Sequence, residues 1–198
     1  MNSPPASAAR FYFDLGSPFA YLTAERIAAV LGEHVQWQPV SLGALFKLAG
    51  RSSWSLGDPD RRRAGIAEVQ RRAAAYGLAP VRWPDPWPSN YLFAMRACTH
   101  AFQQGRGHEF TLGAFRAAFR QGRDLGEPEH VLEVAGEVGL DPREVEHATT
   151  GEPAVKAALR AATEAAHERG VFGVPTVAVG EELFWGDDRL EQAALALG

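Results

Sequence analysis

A hydroxyl stands where a redox thiol pair would be placed. Residues Arg10 to Leu31 read as a short apolar strand (Phe11, Tyr12, Phe13), a turn (Asp14-Leu15-Gly16), and a helix that opens at Ser17-Pro18-Phe19-Ala20. In disulfide-exchange enzymes built on a βα unit, the first turn of such a helix carries Cys-x-x-Cys, and its two positions here hold Ser17 and Ala20. The N-terminus of a helix still offers unpaired N–H groups and about half a positive charge, which stabilise an anion lying in front of it. With no protein thiol in the turn, that anion must arrive with a ligand, which points to a bound thiol cofactor. Ser17 has a plain reading too. Serine at the N-cap followed by proline starts a helix well and needs no chemistry.

A second motif stands near the other end: Gly170-Val171-Phe172-Gly173-Val174-Pro175-Thr176, followed by Val177-Ala178-Val179 and Leu183-Phe184-Trp185. The β-branched run after Pro175 predicts a strand, Gly180-Glu181-Glu182 a tight turn, and Leu183 to Trp185 a returning strand. Proline directly before a buried strand removes a ladder donor. One solution is a cis Val174-Pro175 bond, which turns the Val174 N–H and C=O towards a cleft.

These motifs need elements to hold them. Ala20, Ala24, Ile27 and Leu31 form one apolar stripe on the first helix, with Glu25 and Arg26 on its other side, and Gly32 ends it. Val35 to Val40 predicts a second strand. Helical spacing then recurs over Ala64 to Tyr76 (with paired arginines outward), Tyr91 to Gln104, Phe110 to Arg120, Pro128 to Val138 and Ala154 to Arg169. Leu190, Ala193, Ala194 and Leu197 give the last helix its apolar face. Two loops interrupt the pattern. Lys47 to Asp60 is glycine- and serine-rich and carries Lys47, Arg51 and Trp54. Arg82 to Asn90 is stiffened by Pro84, Pro86 and Pro88, with Ser89 or Asn90 capping the next helix. Read plainly, the lysine is solvated and the tryptophans pack the helical block onto the sheet. Read functionally, the loops wall a pocket facing Ser17. Asp187-Asp188, just before the last helix, reads as a cap in its own right.

Composition narrows the function class. The net charge of −4 provides no basic field for nucleic acid or an anionic membrane. The single cysteine, Cys98, excludes an internal disulfide and a zinc-thiolate cluster, and fits a reducing, cytoplasmic compartment. The six histidines are scattered without ligand spacing, so no metal site is expected. Phosphate-binding, dinucleotide-binding and nucleophile-elbow motifs are missing. No apolar run approaches the roughly 18 residues of a membrane span. Met1 to Ala9 reads as a short loose tail without the basic region or apolar core of a signal peptide.

The stretches Phe11 to Leu22, Gly170 to Thr176 and Leu183-Phe184-Trp185-Gly186-Asp187-Asp188-Arg189-Leu190 together resemble 2-hydroxychromene-2-carboxylate isomerases and kappa-class glutathione transferases, in order and spacing over nearly the whole chain. The resemblance implies an α/β thioredoxin-like fold of the DsbA and kappa-class type. Residues 10–45 and 153–198 would form the thioredoxin-like domain, and residues 46–152 an all-helical insertion. It implies a glutathione-dependent isomerase of a 2-hydroxychromene-2-carboxylate-like substrate in aromatic catabolism, acting as a homodimer. The alternatives are a kappa-like transferase with another electrophile, or a non-catalytic thioredoxin-like binding protein. Ser17 would be the catalytic hydroxyl. Val174, Pro175, Trp185, Gly186, Asp187 and Asp188 would hold glutathione, with Asp188 opposite its ammonium. Lys47, Arg51 and Asn90 would hold the substrate carboxylate. Arg51 stands where the transferases carry asparagine, a departure that bears on how this loop meets the tripeptide.

Overall fold

The computed structural model describes residues 9–198. The tail expected over Met1 to Ala9 lies outside the described residues except for Ala9, which is buried, with its carbonyl accepting the Gln36 N–H at 2.8 Å.

One mixed sheet organises the chain. β1 (Arg10–Phe13) lies between β2 (Gln36–Pro39), parallel to it, and β3 (Thr176–Val179), antiparallel to it; β4 (Glu182–Trp185) pairs antiparallel with β3 at the far edge. Period-two alternation divides the faces of β1. Phe11 and Phe13 point into the larger core, beneath Phe102 and Phe115 of the helical block. Tyr12 points the other way, to a second cluster with Val40, Leu45, Ala166, Val171 and Ala178.

The predicted first helix is two helices. α1 (Pro18–Ala24) stops and α2 (Ile27–Leu31) restarts after a break at Glu25–Arg26. Those two residues do not face solvent as the apolar stripe implies. Glu25 has a side chain only 5% exposed, held by Arg116 at 2.8 Å and Arg120 at 2.8 Å. Arg26 lies over the Tyr76 ring, 3.6 Å from its centroid, and donates to the Asp187 carbonyl at 3.3 Å. Partners on distant elements decide both orientations, and local periodicity carries no trace of them.

Other boundaries shift for local reasons. α3 (Leu42–Leu48) occupies what reads as the start of a loop, its N-terminus capped by Ser41, so Lys47 is helical. α4 (Pro59–Ala75) begins before Ala64, because Asp58 accepts from the Asp60 and Arg61 N–H groups and Pro59 follows it. α5 (Leu92–Gln103), α6 (Gly107–Gln121) and α7 (Pro128–Glu137) fall close to their predicted positions. α8 (Pro142–Thr150) has no counterpart among the predicted helices, although Asp141-Pro142 signals its start; its mostly polar surface hides the apolar period. α9 (Pro153–Glu168) leads back to the sheet, and α10 (Leu190–Leu197) ends the chain.

Candidate active site

The end of β1 builds the floor of the site. Asp14 is buried and spans two elements: Oδ1 accepts the Gly16 N–H at 2.8 Å, and Oδ2 accepts the Leu42 N–H at 2.8 Å. One carboxylate therefore fixes the turn before Ser17 and the start of α3 together. Burial pushes the Asp14 carboxyl up to about 6, against the opposing pull of those two donors. An acid raised from 3.8 adds stability that is complete below about pH 4 and disappears as the pH rises through about 6. The amide introduced by Asp14→Asn would retain one acceptor and lose the other. Asp14→Asn is therefore expected to be less stable than wild type at pH 4. The gap should narrow by up to about 3 kcal/mol towards pH 7, where the native carboxylate bears the burial penalty. Urea unfolding at stepped pH measures this, and a gap independent of pH contradicts it.

Ser17 stands above that floor and is 5% exposed. Its Oγ accepts the Ala20 N–H at 3.2 Å, so the plain N-cap reading holds. A hydroxyl that accepts in this way still has its own proton to donate. Ser17 lines a cavity of about 800 Å³ between the sheet and the helical block, so the donor faces a ligand-sized space.

The opposite side of the mouth is Val174-Pro175. Its peptide bond is cis, and among the described residues the Val174 N–H and C=O find no partner. The Pro175 carbonyl accepts the Gly186 N–H at 2.9 Å, which brings the Trp185–Asp188 turn against it. Gly186 has φ +114°, and a Cβ there would meet Asp188 Oδ1 at 2.5 Å, so only glycine suits the turn.

The two aspartates of that turn have separate environments. Asp187, 1% exposed, accepts from Arg72 Nη1 at 2.7 Å and from the Tyr76 hydroxyl at 2.9 Å. Its carboxyl is nevertheless raised by burial, which outweighs Tyr76 and Arg72. Asp188 has a side chain 54% exposed and lies 3.3 Å from Arg72 Nη1. The same guanidinium also serves Glu68 at 2.7 Å. One cation shared among three carboxylates leaves the cavity side of Asp188 undercompensated, which suits an ammonium.

The aromatic wall comes from the two loops. Trp54 sits 5.9 Å from Phe19 and 5.4 Å from Trp87, ring centre to ring centre, and all three line the cavity. Trp87 Nε1 donates to the Gly16 carbonyl at 3.3 Å, tying the proline-rich loop to the turn before Ser17. Asn90 also lines the cavity, and its Oδ1 accepts the Leu92 N–H at 3.1 Å, which leaves the amide nitrogen to face outward.

Two expected residues stand elsewhere. Lys47 is exposed in the last turn of α3 and is absent from the cavity wall, where α3 presents Leu42, Gly43, Ala44 and Phe46. Arg51 lies over Phe172, 4.6 Å from the ring centre, and 5.9 Å from that of Trp185, which puts it beside the rim.

Arg72 and Asp14 are additions to the expected set. Helical spacing alone turns the adjacent Arg71 and Arg72 outward together, but neighbouring side chains diverge by about 100° on a helix. Arg62, Gly65, Val69 and Arg72 follow the 3-4-3 spacing of one face, and that face turns inward. That spacing is the available signal.

Cys98 is buried against Thr111 Oγ1 at 3.3 Å, and burial pushes its thiol up to about 12, so it is a packing residue. Among the described residues no group of His, Cys, Asp and Glu could hold a metal ion, and no helix is long and apolar enough to cross a membrane.

A βαβ unit joined through a helical block to an antiparallel pair, with a proline before β3 facing the first turn of α1, defines a thioredoxin-like protein in which Ser17 and Ala20 stand at the two redox cysteine positions. The chain belongs to the family described as DSBA-like thioredoxin domain, whose family model matches residues 9–198. It is 27% identical over 191 residues to a 2-hydroxychromene-2-carboxylate isomerase of Sphingobium xenophagum, covering 91% of this chain and 93% of that protein. A protein of the same name from Pseudomonas putida is also 27% identical, over 95% and 93% of the two chains. The solved structure of a 2-hydroxychromene-2-carboxylate isomerase superposes with TM-score 0.82 at 26% identity, covering 96% of this chain and 94% of that one.

Proposed function

We propose that this protein is a glutathione-dependent isomerase of a 2-hydroxychromene-2-carboxylate-like substrate, with the cavity holding tripeptide and substrate side by side. The observation that carries the reading is the Ser17 hydroxyl at the start of α1: it accepts the Ala20 N–H and keeps its own proton to donate at the cavity wall. Isomerases of this name among the relatives, similar to this chain over nearly its full length, support the reaction class.

The residues present fit the tripeptide. Val174 offers a free N–H and C=O at the cavity wall, the pattern an extended peptide takes up by β-addition. Asp188 supplies a carboxylate for an ammonium, on a turn whose neighbour Asp187 is locked by Arg72 and Tyr76. Ser17 donates to sulfur, and the N-terminus of α1 favours its ionised form. Held by Ser17, Val174 and Asp188, glutathione would supply a thiolate nucleophile for reversible addition at the carbon conjugated with the substrate's α-keto acid, the chemistry that permits a double bond to change configuration. Phe19, Trp54 and Trp87 enclose the aromatic ring and exclude water. The Asn90 amide, with Arg51 at the rim, holds the carboxylate. Lys47 would have to swing in from outside the wall to take part.

Calorimetric titration with glutathione, paired with an absorbance assay of 2-hydroxychromene-2-carboxylate isomerisation, tests the reading. Wild type is expected to bind and turn over. Asp188→Ala should weaken glutathione binding by about tenfold, a value reduced by the exposure of the site. Cys98→Ser should leave both measurements unchanged. No heat of glutathione binding in wild type would reject the reading. Binding without isomerisation would favour a transferase with another electrophile.

A further inference from the structure

Glycine inside a helix lowers stability relative to alanine, because it surrenders more chain entropy on folding. Gly65 stands mid-way along α4 with no positive φ to require it. Contact explains it instead. A Cβ added there would lie 2.2 Å from Cζ3, 2.3 Å from Cε3 and 2.8 Å from Cη2 of Trp54. The benzo edge of the indole rests directly on the α4 backbone. The same construction recurs at the Ser17 turn and the Val174 loop, where a Cβ on Gly16 would lie 2.4 Å from Tyr91 Cδ2 and one on Gly173 would lie 2.8 Å from Trp185 Nε1. All three rings line the one cavity.

We propose that these glycine-seated rings set the width of the cavity, and that Gly65, acting through Trp54, determines the size of planar ring system the site admits. The inference rests on the reading of the cavity as an aromatic carboxylate site. A methyl group at position 65 must displace Trp54. The α4 backbone lies behind the indole and Phe19 and Trp87 flank it, so the indole can move only along the cavity wall or out with its half-exposed loop, and either shift changes the width of the cavity it lines. Close-packed surroundings do not absorb an overlap of that size by small shifts. A fused two-ring acid therefore loses its fit before a single-ring acid does. Gly65 touches no substrate atom; it determines specificity through the ring it seats.

The test compares dissociation constants for benzoate and 2-naphthoate, measured by calorimetry with glutathione present, in wild type, Gly65→Ala, Trp54→Leu and the double variant. Gly65→Ala is expected to weaken 2-naphthoate by about tenfold or more while benzoate changes by less than about threefold, the range one extra methyl produces in an apolar pocket. Trp54→Leu removes the clashing ring, so adding Gly65→Ala to it should leave the naphthoate-to-benzoate ratio unchanged. If wild type binds both acids and Gly65→Ala keeps the wild-type ratio, the gauge is overturned and the aromatic site stands. If wild type binds neither acid, both are overturned. Should Gly65→Ala fail to fold, the double variant decides: folding with an unaltered ratio supports the seat for Trp54, and failure there overturns it.

Discussion

Replacing Ser17 with alanine is expected to lower isomerase turnover by roughly ten- to a hundredfold and to destabilise the fold by about 1 kcal/mol. The two effects share one oxygen. As an acceptor, Oγ caps α1 through the Ala20 N–H at 3.2 Å; as a donor, it faces the cavity. A free thiol of pKa about 8.5 is only about 3% ionised at neutral pH, and each unit of lowering corresponds to about 1.36 kcal/mol. A hydrogen bond that strengthens as sulfur becomes charged contributes about 1.5–3 kcal/mol to that lowering. Ser17→Asn, whose amide both caps and donates, does not separate the roles. Ser17→Gly does so: glycine at an N-cap costs only about a few tenths of a kcal/mol and carries no side-chain donor, so most of the stability should return while turnover stays low. The thiolate absorbance of bound glutathione against pH is the direct measurement. Superimposable curves for wild type and Ser17→Ala would mean that Ser17 is a cap and nothing more.

Asp187→Ala is expected to cost about 3 kcal/mol of stability, or roughly 6–12 °C in melting temperature, whereas Asp188→Ala should change either very little. Asp187 is the buried strut of the turn. Its removal strands the Tyr76 hydroxyl and one of the Arg72 contacts, and leaves Arg72 with Glu68 and the exposed Asp188. Because Arg72 keeps those partners, the loss lies at the lower end of what breaking a buried ion pair produces. Neighbouring aspartates thus divide, the first holding the turn in place and the second left half open at the cavity wall. Thermal unfolding of both variants checks the division. Equal losses would show that the two carboxylates share one structural role.

Local chemistry makes part of this protein legible. Ser17-Pro18 and Asp58-Pro59 are helix starts because a short polar acceptor followed by a residue with no N–H satisfies the first turn. The strand–turn–strand after Pro175 follows from β-branched residues leading into Gly180 and an apolar run returning from it. The resemblance carried by the two ends leads to the DSBA-like fold. Whatever depends on one element meeting another cannot be read this way. Glu25 turns inward because Arg116 and Arg120 reach it from α6, 91 and 95 positions along the chain (116 − 25 and 120 − 25). Lys47 has suitable chemistry, yet helical rotation carries it off the wall that Phe46 lines. Asp187 and Asp188 are identical in type and adjacent in sequence, and only the approach of Arg72 and Tyr76 from α4 and its end buries one and leaves the other half open. Sequence determined most of the elements and the hydroxyl at the head of α1, but not α3, α8 or the break between α1 and α2. Tertiary packing decided which charges it neutralised, because burial and partners are properties of position in space.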